Sequence, residues 1–282
     1  MCRMSAFAAT ALSLSLALGL SAAATPASAK WFGKSAAKPA AATAAAAARP
    51  EAPRKASPQE RAMAQRLDPL GRAAFWAREI ETDPGDAQAG VGLSQALRAM
   101  GKYDDAIEAI QRVLVSQPGN VEALLEMARA QIGRGEGFYA IDPARQAQQL
   151  APRDWRAPSL LGVAYEQASR DDEALAAHRQ ALSLAPDNPA ALCNLALFYA
   201  AHGKAGEAES MLRTAAAKPG ATMAIRQNLA LVLGLQGRLD EAEKIARQDL
   251  PPEAVANNMA YLRAASGPAA ASRSWDGVRG AQ

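Results

Sequence analysis

From Leu70 onward, apolar residues recur at helical spacing, and the helices themselves recur. Leu70, Ala73, Ala74, Ala77 and Ile80 lie on one face of a predicted helix that stops at Asp83-Pro84-Gly85. Beyond it the pattern repeats every 34 residues without a gap. Leu93, Met127, Leu161, Leu195 and Leu229 keep that step, as do Ala106, Ala140, Ala174, Ala208 and Ala242. Gly101, Gly135, Ser169, Gly203 and Gly237 follow it too, as do Pro84, Pro118, Pro152 and Pro186. A fixed period of this length denotes stacked supersecondary units. The sequence therefore predicts an all-α, right-handed superhelical solenoid of helix–turn–helix repeats at 87–120, 121–154, 155–188, 189–222 and 223–250.

Within each unit the first helix (A) carries a large apolar residue followed by a small one: Leu93-Ser94, Met127-Ala128, Leu161-Gly162, Leu195-Ala196, Leu229-Ala230. The small residue and the alanine twelve positions later are expected to face each other where helices A and B cross. The recurring glycine ends helix A in the left-handed conformation, and Ser169 should make a slightly strained turn there. Pro143 falls inside the second B helix. The expectation is a helix shortened to Pro143–Leu150, preceded by a long loop that includes Gly133–Gly137. Phe138 and Tyr139 then sit in that loop, either as buried rings or as partner contacts. Pro251-Pro252 should stop the last B helix. Glu253 to Ala264 reads as a capping helix with Val255, Met259 and Leu262 on one face, and Trp76 is expected to cap the other end.

The flanks differ in composition. Residues 1–29 have Arg3, an apolar run from Phe7 to Leu20, and Ala27-Ser28-Ala29 before Lys30. That order is expected of a secretory signal peptide cleaved after Ala29, placing the mature chain in the periplasm. Removing Arg3 lowers the formal charge from +3 to +2, which points to neither nucleic acid nor an acidic membrane. Processing also removes Cys2 and leaves Cys193 as the single cysteine, so the fold should stand on packing rather than on a bridge. Residues 30–58, rich in Ala and Pro, read as a flexible linker, with poly-Ala at Ala44 to Ala48. The solenoid with its terminal caps spans 59–263, and 264–282, including Trp275, reads as a disordered tail.

Candidate chemistry is sparse. His178 and His202 have no Cys or His neighbours at metal-ligand spacing, so no metal or cofactor is expected. His178 reads as a packed histidine, and His202 as a last-turn residue favoured by the helix dipole. Gly133–Gly137 lacks the lysine and Ser/Thr of a phosphate loop. The recurring acids Asp104-Asp105, Asp171-Asp172 and Asp240-Glu241 begin B helices, where negative charge suits the dipole. No catalytic constellation emerges. Binding remains, on the inner face lined by A helices: Arg98, Glu126, Arg129, Glu166, Asn194, Gln227 and Asn228. Asn194 and Asn228 hold equivalent positions one repeat apart, either as asparagines common to ordinary repeats or as amides that grip the backbone of an extended peptide.

Over 87–250 the repeats resemble the tetratricopeptide family. A narrower resemblance runs through Ala74-Phe75-Trp76 with Asp83-Pro84-Gly85-Asp86, through Arg226 to Gly237, and through Asp249-Leu250-Pro251-Pro252 with Asn257 to Arg263. These stretches look like the TadD-type proteins of the Flp (Tad) pilus assembly apparatus of alphaproteobacteria. That resemblance implies a periplasm-side scaffold that binds pilus-assembly or secretin components and assists secretin assembly. The repeats alone are equally compatible with a scaffold for polysaccharide export or cell-wall machinery, or with an accessory subunit of an enzyme supplied in trans. One departure stands out: lipidated members of such families carry a cysteine just after the signal, and this chain does not.

Overall fold

The computed structural model describes residues 54–266; the signal, most of the linker and the predicted tail beyond residue 266 lie outside them, while residues 264–266, assigned to that tail, continue the last helix. Among the described residues there are thirteen helices and no strand. Five A/B pairs form the repeats: α3 (Ala87–Ala99) with α4 (Tyr103–Ser116), α5 (Val121–Arg134) with α6 (Gly137–Leu150), and α7 (Arg156–Gln167) with α8 (Asp171–Leu184). The last two are α9 (Pro189–Ala201) with α10 (Ala205–Ala217), and α11 (Met223–Leu235) with α12 (Leu239–Ala246). Two helices precede them, α1 (Pro58–Ala64) and α2 (Pro69–Thr82), and α13 (Pro252–Ser266) follows. The all-α repeat architecture is the one the periodicity predicts.

Each A–B turn closes the same way. The residue after the glycine, or after Ser169 in the third repeat, donates its N–H to a carbonyl five positions back: Lys102 to Leu97, Glu136 to Gln131, Arg170 to Tyr165, Lys204 to Tyr199 and Arg238 to Leu233, all at 2.9–3.0 Å. This closure needs a left-handed residue. Gly135 supplies it at φ 87°, and Ser169 is forced into it at φ 55°, the one non-glycine residue with positive φ among those described. The helix crossings are as tight as the sequence implies. Ser94 Oγ donates to the Ala106 carbonyl at 2.9 Å, and the alanines at 106, 140, 174, 208 and 242 are fully buried. A Cβ on Gly162 would lie 2.4 Å from the His178 ring.

The ends are sealed by different chemistry. Val255, Met259 and Leu262 of α13 are buried, and Leu262 fills the space above Gly234. At the other end Trp76 lies over Gly92 of α3 and is itself covered by the Arg61 guanidinium, 5.6 Å from the ring centre. Arg61 is held by Glu79 and Asp86, while Lys55 reaches Asp86 at 2.8 Å and the Ala56 N–H reaches Glu79 at 3.0 Å. Ser57 and Glu60 close a capping box at the start of α1. The folded unit therefore begins at Lys55 and takes in residues assigned to the linker from composition.

Two further expectations are corrected. α6 runs unbroken from Gly137 to Leu150 with Pro143 inside it, so the long inter-helix loop does not exist. Proline deletes one hydrogen bond, to the Tyr139 carbonyl, and Tyr139 is exposed, so that carbonyl lies on the solvent side. α12 ends at Ala246, well before the prolines, and beyond it Asp249 pairs with Arg226 at 2.5 Å.

Candidate protein-binding face

Successive A helices touch one another along the stack, α3 with α5, α5 with α7, α7 with α9 and α9 with α11, while the B helices pack between A helices, the last of them, α12, between α11 and α13. The A helices therefore form one continuous row. Its polar positions divide into two groups according to what the packing does with them.

Three of the predicted site residues come together at the first two repeats. Glu126 of α5 is fully buried; its Oε1 accepts from Arg98 Nε of α3 at 2.6 Å, and its Oε2 from Arg129 Nη1 at 3.3 Å. Arg98 and Arg129 stay partly open, with side chains 20% and 17% exposed. Their other guanidinium N–H groups have no acceptor among the described residues. Burial pulls the Arg129 guanidinium below its ordinary value; Glu126 opposes this, and the positive charges of Arg98 and Arg156 add to it. Two cations sharing one carboxylate, with donors left over, form a surface that favours carbonyl or carboxylate acceptors on a partner.

The other predicted residues lie elsewhere. Asn194 is 5% exposed and donates to Ser159 Oγ of α7 at 2.9 Å; Asn228 is 1% exposed and donates to Cys193 Sγ of α9 at 3.4 Å. Both are wedged between neighbouring A helices, so the asparagine peptide clamp is not an exposed surface. Glu166 Oε1 is 2.6 Å from His178 Nε2, and His178 is buried against Phe198, a packed histidine as expected. Gln227 turns toward Asp249, 3.4 Å away, beside the Arg226–Asp249 pair. His202 stacks on Phe198 and bonds its carbonyl at 2.7 Å.

Sequence reasoning missed Arg156, which extends the charged surface into the third repeat. It pairs with Asp154 and with Glu122, both at 2.6 Å. The signal was available: Glu122 and Arg156 are opposite charges one 34-residue period apart. It also left Phe138 and Tyr139 undecided. Both are exposed.

Three stretches of the chain match models of the tetratricopeptide repeat family: residues 87–130, 159–190 and 222–250. No curated protein matches. Among solved structures, the chain is similar to TTC0263, a thermophilic TPR protein of Thermus thermophilus, at 27% identity and a TM-score of 0.57, covering 62% of this chain and 98% of that one. It is also similar to a tetratricopeptide repeat protein from Parabacteroides merdae, at 14% identity and a TM-score of 0.60, covering 73% and 86%. The second likeness is one of fold. Among the described residues no helix is long and apolar enough to cross a membrane.

Proposed function

We infer that this chain, a tetratricopeptide repeat protein, is a non-catalytic exported scaffold that holds protein segments during Flp (Tad) pilus assembly. Tetratricopeptide repeats are protein-interaction modules, so a protein partner follows from the repeats themselves. The observation carrying the binding reading is the Arg98–Glu126–Arg129 cluster. It is positioned by a buried carboxylate, partly open on the A-helix row, and left with unused N–H donors. Such a surface suits the backbone carbonyls or acidic side chains of a segment from a secretin or another assembly component. The pilus assignment is supported by the TadD-like stretches around Trp76, Arg226–Gly237 and Asn257–Arg263, and export by the leader-like residues 1–29.

Two experiments separate these layers. Deleting the gene should abolish piliation and reduce secretin multimers, and normal piliation would discard the pilus assignment. Replacing Arg98, Glu126 and Arg129 together with Gln, which leaves no unpaired charge inside, should weaken co-purification of assembly components while the protein stays folded. Unchanged capture would discard the cluster as the binding surface and leave the scaffold reading standing.

A further inference from the structure

Among the described residues, every B helix but one begins with acidic side chains. α4 has Asp104 and Asp105, α8 has Asp171, Asp172 and Glu173, α10 has Glu207, and α12 has Asp240 and Glu241. None of these helices has a side-chain cap, and the acids complement the unpaired N–H groups of the first turn. α6 alone has no acid in its first turn. At the register of Asp104-Asp105 and Asp172-Glu173 it places Phe138 and Tyr139. The two residues are 69% and 62% exposed, and their rings meet edge-on with centroids 5.6 Å apart and planes at 84°. Two solvated rings in place of two helix-favouring carboxylates contribute nothing to the fold that the other repeats lack.

The platform beneath them is fixed. Gly137 is buried so closely against α7 that a Cβ there would lie 2.5 Å from Gln167 Cβ and 2.6 Å from the Ala164 carbonyl oxygen. The first turn of α6 is therefore seated on its neighbour, and the rings project from a backbone that has little room to shift. The charge around them is acidic on balance, although Lys102 and Arg145 also lack a carboxylate partner among the described residues. Arg134 is occupied by Asp104 and Glu136, and Arg170 by Glu173. Asp142, one turn along α6 from Phe138, is exposed and has no ion-pair partner among the described residues, and the same holds for Asp105 and Asp172 in the adjoining repeats. Aromatic faces attract cations, and uncompensated carboxylates beside them strengthen that preference.

We propose that Phe138 and Tyr139 form a second docking point, separate from the A-helix row, that receives a basic segment of a partner protein. An arginine or lysine of that segment lies on the rings while its stem and an adjacent apolar side chain cover them. The site rests on different residues from the Arg98–Glu126–Arg129 surface, so either can fail without the other.

The test uses the purified full chain and two short labelled synthetic peptides, one with arginines flanking a leucine and a twin with glutamates in place of the arginines. Fluorescence anisotropy should show the arginine peptide binding about ten-fold or more tightly than its twin, and the F138A/Y139A variant losing about ten-fold with an unchanged melting midpoint. A second variant, F138D/Y139E, restores the acids of the other repeats and stays folded. It also adds negative charge, so attraction by charge alone would tighten binding, whereas a ring site loses it. Equal binding of both peptides, or wild-type affinity in either variant, overturns the proposal. So does a concentration-dependent dimer in sedimentation that F138A/Y139A abolishes, because a second copy of the chain would then be the occupant.

Discussion

Asn194 Nδ2 donates to Ser159 Oγ across 2.9 Å, joining α9 to α7 at residues 35 positions apart. Asn228 and Cys193 repeat the relationship one unit later at the same spacing. The polar ladder along the A helices is thus an internal seam, built by the repeat itself, and its members act on stability before they act on any partner.

Asn194→Ala is therefore expected to destabilise the fold by about 1–3 kcal/mol, because it opens a void and leaves a buried hydroxyl short of a partner. Asn228→Ala should behave alike. Chemical denaturation gives the answer directly: two variants with wild-type midpoints would place these amides on a free surface, as the sequence pattern alone suggests.

The helix crossings should respond to added volume. Ala174→Trp and Ala208→Trp, both at fully buried positions, are expected to cost at least about 1–3 kcal/mol by overpacking. Gly162→Ala should also destabilise, since the His178 ring occupies the place of the new methyl group. Gly206→Ala offers the contrast. Nothing lies within 4 Å of its would-be Cβ, and it is helical, so alanine should add roughly 0.5 kcal/mol. Thermal melts ranking Gly206→Ala below Gly162→Ala would contradict the packing described.

Removing the shared carboxylate is a third test. Glu126→Ala leaves Arg98 and Arg129 facing each other without a counter-charge. Breaking a buried pair costs about 3–5 kcal/mol when both groups are enclosed, and partial exposure of the guanidiniums reduces this to about 2 kcal/mol. A double variant that also replaces Arg129 with Met should recover part of the loss, measured as coupling in a double-mutant cycle.

Acid should loosen the N-terminal cap. Burial pushes the Asp86 carboxyl upward, but hydrogen bonds from Arg61, Lys55 and the Ala89 N–H outweigh it and hold the group well below the usual carboxylate range. The unfolded chain then binds the proton first as pH falls. The stabilisation is complete above the ordinary value of 3.8 and is lost progressively below it. Asp86→Asn should flatten the acid limb of the melting profile between about pH 5 and 2. An unchanged slope would remove Asp86 from the cap's electrostatics.

Export makes a prediction of its own. Intact mass of protein recovered from the periplasmic fraction should correspond to a chain starting at Lys30. Retention of Met1, or a lipid-modified terminus, would contradict it.

The parts legible in the sequence are those that the 34-residue step repeats. Large-small pairs on the A helices, glycine at the A–B turn, and alanine at the crossing each obey a local or nearest-neighbour rule, and every unit states the rule again. The C-terminal cap was legible too, because Val255, Met259 and Leu262 share one helix face. The α6 helix was not, since proline's local preference was set against packing from both flanking A helices, and the packing prevailed. The Arg61–Glu79–Asp86 cluster was hidden for another reason: Glu79 and Asp86 lie 18 and 25 residues from Arg61, across a break in the periodicity.

By itself, then, the sequence determined the number, order and pairing of the repeat helices, because periodicity specifies which side chains must be buried and at what spacing. Only the tertiary structure decided which polar residues are buried between helices and which remain open. Asn194 and Glu126 occupy the same repeat position, each immediately before the large apolar residue of its A helix, and no pattern distinguishes them. What separates their roles is the neighbour each meets: a serine hydroxyl that takes up one donor of the amide, or two guanidiniums that one carboxylate cannot saturate. Hydrogen-bond capacity is local to a residue, but whether it is used up depends on the atoms that the stacked repeats bring beside it.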